Sequence, residues 1–349
     1  MSVTTHERPG VYSSYDASAA VSGGGGRLVG LAAVNTKAAA NTAYTVTSYE
    51  QALTIFGTGG RMAELIRLAL LNGAAGVIAA AAATAAGYEA AFAVLEKEEN
   101  ICVMLCDSGD AGVHSKLKTS VDSASAARRE RIAVVGAAAG ETVSQLTARA
   151  AALNHQRVVL VGPGGVSSSG QADSGVPLAA AVGGAIAAMD DPAVPLGGQE
   201  LRGLNGVSQQ YSDNDIDLLV RGGVIPLESV SGTVSVVRGI TTRTKTGEVS
   251  DRTWRELTTI LVVDDVIPSI RSALRSKFSR AKNTPQSRGA IRAQVVLELE
   301  NKLSQEIITA YDNVTVTEKA DDPTVCLVEF SFTAAHGLNQ IWLTAHITV

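Results

Sequence analysis

The stretch RIAVVGAAAGETVSQLTARAAALNHQRVVLVGPGG, residues 131–165, decides the fold class. Its two ends, RIAVVGA and RVVLVGPGG, are short apolar runs, and a helical pattern lies between them. A strand, a helix and a second strand in this order predict a βαβ unit with two parallel strands in one sheet. The runs are continuously apolar, as expected for strands that helices cover on both faces.

The same alternation extends over residues 27 to about 225. Further apolar runs are RLVGLAAV, GVIAAAA and NICVMLCD; further helical patterns are SYEQALTIFG, MAELIRLALLNG, GYEAAFAVLEKE and PLAAAVGGAIAAMDD. Ser48, with Gln51 three residues later, matches a capping box and marks one helix start. We therefore predict an α/β fold, a mostly parallel sheet with flanking helices.

The pattern changes near Pro226. TVSVVRGITTRT alternates with period two, which is typical of an antiparallel strand, and TKTGEV reads as its turn. The segment DVIPSIRSALRSKFSRAKN carries a helical apolar stripe, and we place its helix start at Asp264 and Asp265, with Pro268 in the first turn. The residues of this stripe are Ile267, Ile270, Leu274 and Phe278. These patterns predict a second domain of a different class.

The last hundred residues complete this C-terminal α+β domain. Apolar residues four apart predict a second helix; they are Ile291, Val295, Leu299 and Leu303. Three strand-like segments follow, NVTVTE, VCLVEFSFTA and IWLTAHITV. We predict an extended N-terminal arm at residues 1–20, an α/β domain at residues 21–228 and an α+β domain at residues 229–349, which ends in a strand-like arm from about residue 338.

Composition excludes several function classes. The chain has 349 residues, is 46% hydrophobic and has a net charge of −5, and this acidic balance argues against a general nucleic-acid binder. Its three cysteines form no disulfide framework and its five histidines are scattered, so we expect buried thiols, no metal site and a reducing cytoplasm. The uncharged stretch from Leu68 to Tyr88 is interrupted by Asn72 and Gly73, which argues against a membrane span.

No stretch carries the chemistry of an active site. GGGG at residues 23–26 precedes a strand, whereas a phosphate loop follows one, and VVGAAAGET lacks the lysine of a P-loop. Asp213, Asp215 and Asp217 resemble half a calcium loop but fit a helix start better. We predict no catalytic, cofactor-binding or metal-binding residue. Two alternatives stay open: an α/β enzyme or nucleotide-binding protein with an unrecognised site, and another self-assembling shell or tube protein.

Passages along nearly the whole chain resemble the contractile tail sheath proteins of bacteriophages and phage-tail-like bacteriocins. They are ERPGVY, RLVGLAAV, TVTSYEQALTIFGTGG, LALLNGAAGV, AAAVGGAIAAMDDPAVPLGGQELRGLNGV, GGVIPLES, VSVVRGITT and WRELTTILVVDDVIPSIRSAL. Each passage is short, and their order and spacing carry the resemblance. VVRGITT has no Arg-Thr directly after its glycine, and the large inserted outer domains of long sheaths are absent, so the chain resembles a minimal sheath.

The resemblance implies a structural subunit and not an enzyme. It implies homo-oligomeric, hexameric rings stacked helically around a tail tube, with baseplate and terminator proteins at the ends, and a contraction that drives the tube through a cell envelope. It implies no cofactor, no nucleic-acid partner and no membrane insertion. Assembly is expected in the bacterial host cytoplasm, before the subunit becomes part of a virion tail or a released bacteriocin particle.

Two sets of residues are candidate contact sites. HERPGVYSSY, residues 6–15, has no neighbouring strand to pair with, so we predict that both chain ends pair with other subunits. The arm residues are Glu7, Arg8, Pro9, Gly10, Val11 and Tyr12, and Ile341, Trp342, Leu343, Thr344, Ala345, His346 and Ile347. Because the family places its C-terminal domain next to the tube, we also predict a tube-facing basic helix surface. It comprises Arg271, Arg275, Lys277, Arg280 and Lys282.

Overall fold

A large sheet organises the first two thirds of the chain in the computed structural model, which describes residues 27–346. Its nine strands lie in the order β2-β3-β1-β4-β5-β6-β8-β9-β7. They are β1 (Leu28–Val34), β2 (Ala43–Val46), β3 (Val77–Ala82), β4 (Ile101–Cys106), β5 (Ile132–Gly136), β6 (Val158–Gly162), β7 (Glu200–Leu201), β8 (Val224–Val230) and β9 (Thr233–Val236). From β3 to β8 all neighbours are parallel, while β2, β9 and β7 pair antiparallel. The predicted α/β class is confirmed.

Seven helices cover the two faces of this sheet. They are α1 (Tyr49–Phe56), α2 (Arg61–Leu71), α3 (Tyr88–Leu95), α4 (Ala111–Ala126), α5 (Val143–Leu153), α6 (Val176–Ala187) and α7 (Asp213–Arg221). Helices α1, α2 and α6 pack on one face, and α3, α4, α5 and α7 pack on the other. Along β1 the side chains alternate between the two cores, Leu31 on one side and Ala32 on the other. The sheet with α1–α7 is called the body below.

Most predicted elements of the body are confirmed, and one helix was missed. Ser48 and Thr142 accept hydrogen bonds from the backbone amides of Gln51 and Gln145, as N-caps do. The sequence pattern predicts no helix at residues 111–126, where α4 lies, because Ser, Lys and Thr obscure the apolar face formed by Leu117 and its neighbours. The sheet also continues past residue 228, since β8 turns directly into β9.

The C-terminal part contains two helices and two hairpins. It comprises β10 (Lys245–Thr246), β11 (Val249–Ser250), α8 (Leu257–Phe278), α9 (Pro285–Ser304), β12 (Ile308–Lys319) and β13 (Asp322–Ala334). Strands β10 and β11 form a short hairpin at TKTGEV, where the sequence predicted only a turn, and the strand predicted before it is formed only over Thr233–Val236. Strands β12 and β13 form a separate antiparallel hairpin, called the ribbon below. One face of the ribbon packs on α8 and α9 through a third core that contains Ile270, Val295 and Val314.

The predicted start of α8 is wrong. The helix begins seven residues before Asp264, so both aspartates and Pro268 lie inside it. The upstream residues Ile260 and Leu261 are buried in the body core and extend the helix into it. Within the helix, Asp264 accepts two hydrogen bonds from Arg157, at 2.6 and 2.8 Å. These contacts fix α8 to the body and make the acidic pair a packing feature rather than a helix cap.

Asp265 makes a second charged contact at the same junction. Its carboxylate lies 2.5 Å from the ammonium of Lys302 in α9 and 3.6 Å from the guanidinium of Arg27 at the start of β1. Further along α8, Arg271 donates to Glu130 at 2.7 Å. The C-terminal helices are therefore joined to the body by partly and largely buried ion pairs as well as by apolar packing.

Candidate functional site

The carboxyl edge of the parallel strands is where ligands bind in open α/β sheets. In this structure, polar groups that follow β1 and β4 bond to each other there. Asp107 accepts a hydrogen bond from the Val34 amide at 3.0 Å and another from the Tyr88 hydroxyl. Burial, followed by the bond to Asp107, raises the pKa of Tyr88 far above its usual value. Both groups are engaged within the protein.

A second buried cluster fills the edge beside β5. Glu141 accepts hydrogen bonds from the Ala138 amide at 2.9 Å and from Arg149 at 2.6 and 3.0 Å. Arg149 also donates to the Gly109 carbonyl at 2.7 Å, and the fully buried His114 ring lies 2.8 Å from the Ser108 carbonyl oxygen. Burial lowers the pKa of His114 to about 4, so this ring is neutral at pH 7.

The glycine-bearing turns at this edge are closed by packing. A Cβ atom at Gly136, the last residue of β5, would lie 2.2 Å from the carbonyl carbon of Gly175 at the N-terminus of α6. The loop after β6 is held by Asp173, which accepts hydrogen bonds from Arg61 at 2.7 and 3.2 Å. Residues 136 and 175 thus approach too closely for a phosphate to lie between them. The edge has the position of an active site, and protein atoms occupy it.

The cysteines form no disulfide, and burial keeps two of their thiols protonated. All three are free thiols. Burial raises the pKa of Cys102 to about 11 and that of Cys106 to about 12, so both remain protonated at neutral pH. Among residues 27–346, no group of three or more His, Cys, Asp or Glu side chains is arranged to hold a metal ion. None of the helices in this range is both long and apolar enough to cross a membrane.

The ribbon presents open strand edges. Its strands, 12 and 13 residues long, pair only with each other within the described part of the chain. Outward-facing Thr315, Glu329, Ser331 and Thr333 are exposed, while Phe330 and Phe332 turn toward α8 and α9. Each outer edge therefore has backbone N–H and C=O groups that another extended chain can bind. The sequence predicted both strands within a separate C-terminal domain, but not that they would pair only with each other within the described residues.

Residues 335–346, called the C-terminal segment below, follow the ribbon. The segment starts with a hydrogen bond from the Ala335 amide to the Ile307 carbonyl at 3.0 Å, and Gly337 lies against Pro195. Beyond these contacts it forms no helix or strand up to residue 346. The side chains of Ile341, Trp342 and Leu343 are 81%, 89% and 91% exposed. The predicted strand is therefore not formed within this chain over the described residues.

Other arm residues differ in what the structure records of them. Thr344, Ala345 and His346 are exposed like their apolar neighbours. Ile347 and the N-terminal residues Glu7, Arg8, Pro9, Gly10, Val11 and Tyr12 lie outside the described residues. Three consecutive apolar side chains are thus left exposed to solvent in the segment that follows the open-edged ribbon.

The basic residues after the middle of α8 do not form the single helical surface that the sequence predicts. The helix ends at Phe278, so Arg280 and Lys282 lie beyond it. Arg271 is bound to Glu130, and the Lys277 ammonium donates to the Gln294 side chain at 2.6 Å. Arg275, Arg280 and Lys282 are exposed. Lys277 is exposed as well, so four of the five cations are exposed and only Arg271 is half-buried and paired with a carboxylate.

Comparison with known proteins gives the context for this arrangement. Residues 81–242 match the phage tail sheath protein central domain, and residues 249–348 match the phage tail sheath C-terminal domain. The tail sheath protein of Bacillus phage SP01 is 26% identical over 259 residues, which are 72% of this chain and 44% of that protein. This chain thus spans less than half the length of that relative.

Solved structures share the fold at low sequence identity. The crystal structure of a sheath tail protein from Desulfitobacterium hafniense superposes with a TM-score of 0.71, at 12% identity over 93% of this chain and 100% of that one. The helical sheath of the anti-feeding prophage in its contracted state superposes with a TM-score of 0.74, at 15% identity over 98% and 99% of the two chains. With both family domains matched in order along most of its length, the chain belongs to the phage tail sheath protein family.

Proposed function

We propose that this protein is the structural subunit of a contractile tail sheath. Copies form stacked hexameric rings around a tail tube, and contraction of the sheath drives the tube through a target cell envelope. The observation that carries this proposal is the open-edged ribbon next to a C-terminal segment whose apolar side chains have no cover. A chain that leaves both a strand acceptor and a strand donor unpaired is built for exchange between copies.

The exchange joins one copy to the next through backbone hydrogen bonds. The C-terminal segment, from Ile341 to Ile347, adds as a strand to the ribbon of a neighbouring subunit. The N-terminal arm, from Glu7 to Tyr12, adds beside it from a third subunit. Alternate side chains set the register of each added strand. Such flexible connections hold subunits together while their bodies rotate and repack.

No nucleotide hydrolysis is needed for this contraction. The closed carboxyl edge of the sheet supports a structural role, because Asp107, Glu141 and Asp173 are engaged inside the protein. The free energy of contraction comes instead from larger interfaces between copies in the contracted state. The chain acts without a cofactor and as part of an assembly.

The tube, baseplate and terminator proteins are the proposed partners of the assembled sheath. The exposed cations Arg275, Arg280 and Lys282 face acidic groups on the tube, where charge complementarity sets orientation. Lys277 is exposed and can join them, whereas the charge of Arg271 is already paired with Glu130. Assembly takes place in the bacterial host cytoplasm, and the product is part of a virion tail or of a bacteriocin particle.

Truncation of each arm tests the proposal. Deleting residues 1–15, or residues 338–349, should leave a soluble monomer with a nearly unchanged melting temperature, because the described C-terminal residues make few contacts. Both truncated chains should fail to form the striated hollow tubes that the full chain forms in negative-stain microscopy.

The full-length chain is the control, and its appearance separates the alternatives. Smooth thin tubes or closed shells would indicate a different self-assembling protein, and compact particles would favour an α/β enzyme. Regular striated tubes from either truncated chain would show that arm exchange is not what joins the subunits.

A further inference from the structure

An arginine-lined cavity of about 660 Å³ lies at the root of the C-terminal segment. Helix α7 supplies Arg221, the chain after β9 supplies Arg238, and the residues after β11 supply Arg252 and Arg255. Gln340 and Trp342 of the C-terminal segment line another side, and Asp217, Val220 and Ser250 complete the lining. This cavity shares no lining residue with the clusters at the carboxyl edge of the sheet. The proposed strand exchange moves Trp342 onto a neighbouring copy and leaves the four arginines at the root of the segment.

The positive charge of the cavity is only partly balanced. Glu256 is shared by two arginines, at 2.5 Å from Arg238 and 4.0 Å from Arg255. Arg221 pairs with Asp217 at 3.2 Å, and this pair is largely exposed. Arg252 has no acidic group within ion-pair distance among residues 27–346. Four guanidinium groups thus share two carboxylates.

The two inner arginines also keep unused donors. The side chains of Arg238 and Arg255 are only 24% and 18% exposed, and the Nε atom of each is buried without a hydrogen-bond partner in the described structure. A buried donor left unpaired costs free energy. Burial, together with the neighbouring arginines, lowers the pKa of Arg255. These groups favour an anionic ligand with oxygen acceptors.

The ribbon, which receives the added strand in the proposed exchange, carries an excess of acidic residues. Residues 308–334 contain five acidic residues and one lysine. Glu318 and Asp321 pair with Arg288 and Lys319. The exposed Asp312 and Glu329 have no ion-pair partner within residues 27–346. Asp312 lies opposite Ser331, two residues from Glu329, so both carboxylates lie on the outward face.

We propose that the arginine cavity of one copy binds carboxylates of the ribbon of a neighbouring copy when the C-terminal segment joins them. The inference rests on the proposed strand exchange: a segment that adds to a neighbour's ribbon brings that ribbon to its own root, where the cavity lies. The guanidinium groups then gain the acceptors that they lack, and the exchange gains a charged lock that fixes orientation.

Charge reversal in the full-length chain tests this contact. The cavity variant carries Arg221→Glu and Arg252→Glu, both at exposed rim positions, and the ribbon variant carries Asp312→Lys and Glu329→Lys. Each should remain a folded monomer and raise the critical concentration for tube formation at least about tenfold, since like charges then meet across the interface. The chain with all four changes should recover to within about threefold of the original value.

The matched control carries Lys97→Glu and Arg128→Glu, the same charge change at exposed positions on the body, and should assemble normally. Normal tube formation by the cavity variant or the ribbon variant would overturn the inference. So would a quadruple variant whose critical concentration is not restored. The chain lacking residues 338–349 separates the two proposals: if it assembles, strand exchange itself is wrong. If it fails while the charge variants assemble, only the charged lock is wrong.

Discussion

Two edges of β-structure in this protein differ in whether their polar groups have partners within the described chain. At the carboxyl edge of the large sheet, where α/β proteins bind ligands, Asp107, Glu141 and Arg149 are hydrogen-bonded inside the protein. Along the ribbon, where soluble proteins usually protect their strands, both outer edges are unpaired within residues 27–346, and the segment that follows in the chain has exposed apolar side chains. Unpaired backbone groups within residues 27–346 thus lie along the ribbon, whereas the polar side chains at the carboxyl edge already have partners.

The first prediction, with the largest effect, concerns how firmly the body holds the C-terminal helices. Arg157→Ala leaves Asp264 buried without its partner and should lower the free energy of unfolding by about 3–5 kcal/mol. Urea unfolding of the monomer followed by circular dichroism measures the change. The effect concerns the body at the amino edge of the sheet, opposite the carboxyl edge, because Arg157 directly precedes β6.

Arg275→Ala in the same helix is the matched control, since Arg275 is exposed. It should change the unfolding free energy by less than about 0.5 kcal/mol. If both substitutions cost the same, the ion pair at Asp264 is not part of what closes the body. A double variant with Arg157→Met and Asp264→Leu should recover part of the loss, because no unpaired charge remains.

The second prediction uses pH to test closure around His114. Burial lowers the pKa of this ring to about 4 in the folded protein, whereas an unfolded histidine titrates near about 6.5. Between these values the unfolded chain binds more protons, so stability falls as pH falls. His114 should account for a loss of about 2 kcal/mol between pH 7 and pH 5. Urea unfolding at a series of pH values measures this loss.

His114→Gln should be less stable at pH 7 but should lack this part of the pH dependence. The exposed His336 provides the control, and His336→Gln should keep the full slope. Equal slopes in all three proteins would show that the cluster at the carboxyl edge opens to water and is not closed.

The third prediction concerns the C-terminal segment, where the smallest effect on stability is expected. Replacing Ile341, Trp342 and Leu343 with Ser should change the monomer's unfolding free energy by less than about 0.5 kcal/mol, because these side chains are already exposed. Leu105→Ala in β4 is the buried comparison and should cost about 2–5 kcal/mol. A loss above about 1 kcal/mol in the segment variant would mean that the segment packs on its own chain.

Sequence reasoning worked where a pattern depends on nearby residues. The continuously apolar runs that became β3, β5 and β6, and the N-cap Ser48, follow from local burial and hydrogen bonding. It failed at α4, whose buried stripe is masked by polar residues, and at the start of α8. Asp264 reads as a helix start in the sequence, and only Arg157, 107 residues away, explains its place inside a helix.

The sequence by itself determined the parallel sheet, the change to a second domain and the lack of an active-site motif, because periodicity and motif spacing are local properties. Only the tertiary structure decided which polar groups meet. It brought Glu141 to Arg149 and Arg271 to Glu130, left the outer edges of the ribbon unpaired within residues 27–346, and gathered four arginines at the root of the C-terminal segment. The physical reason is that pairing and burial depend on contacts between residues far apart in the chain, and no local pattern records those distances.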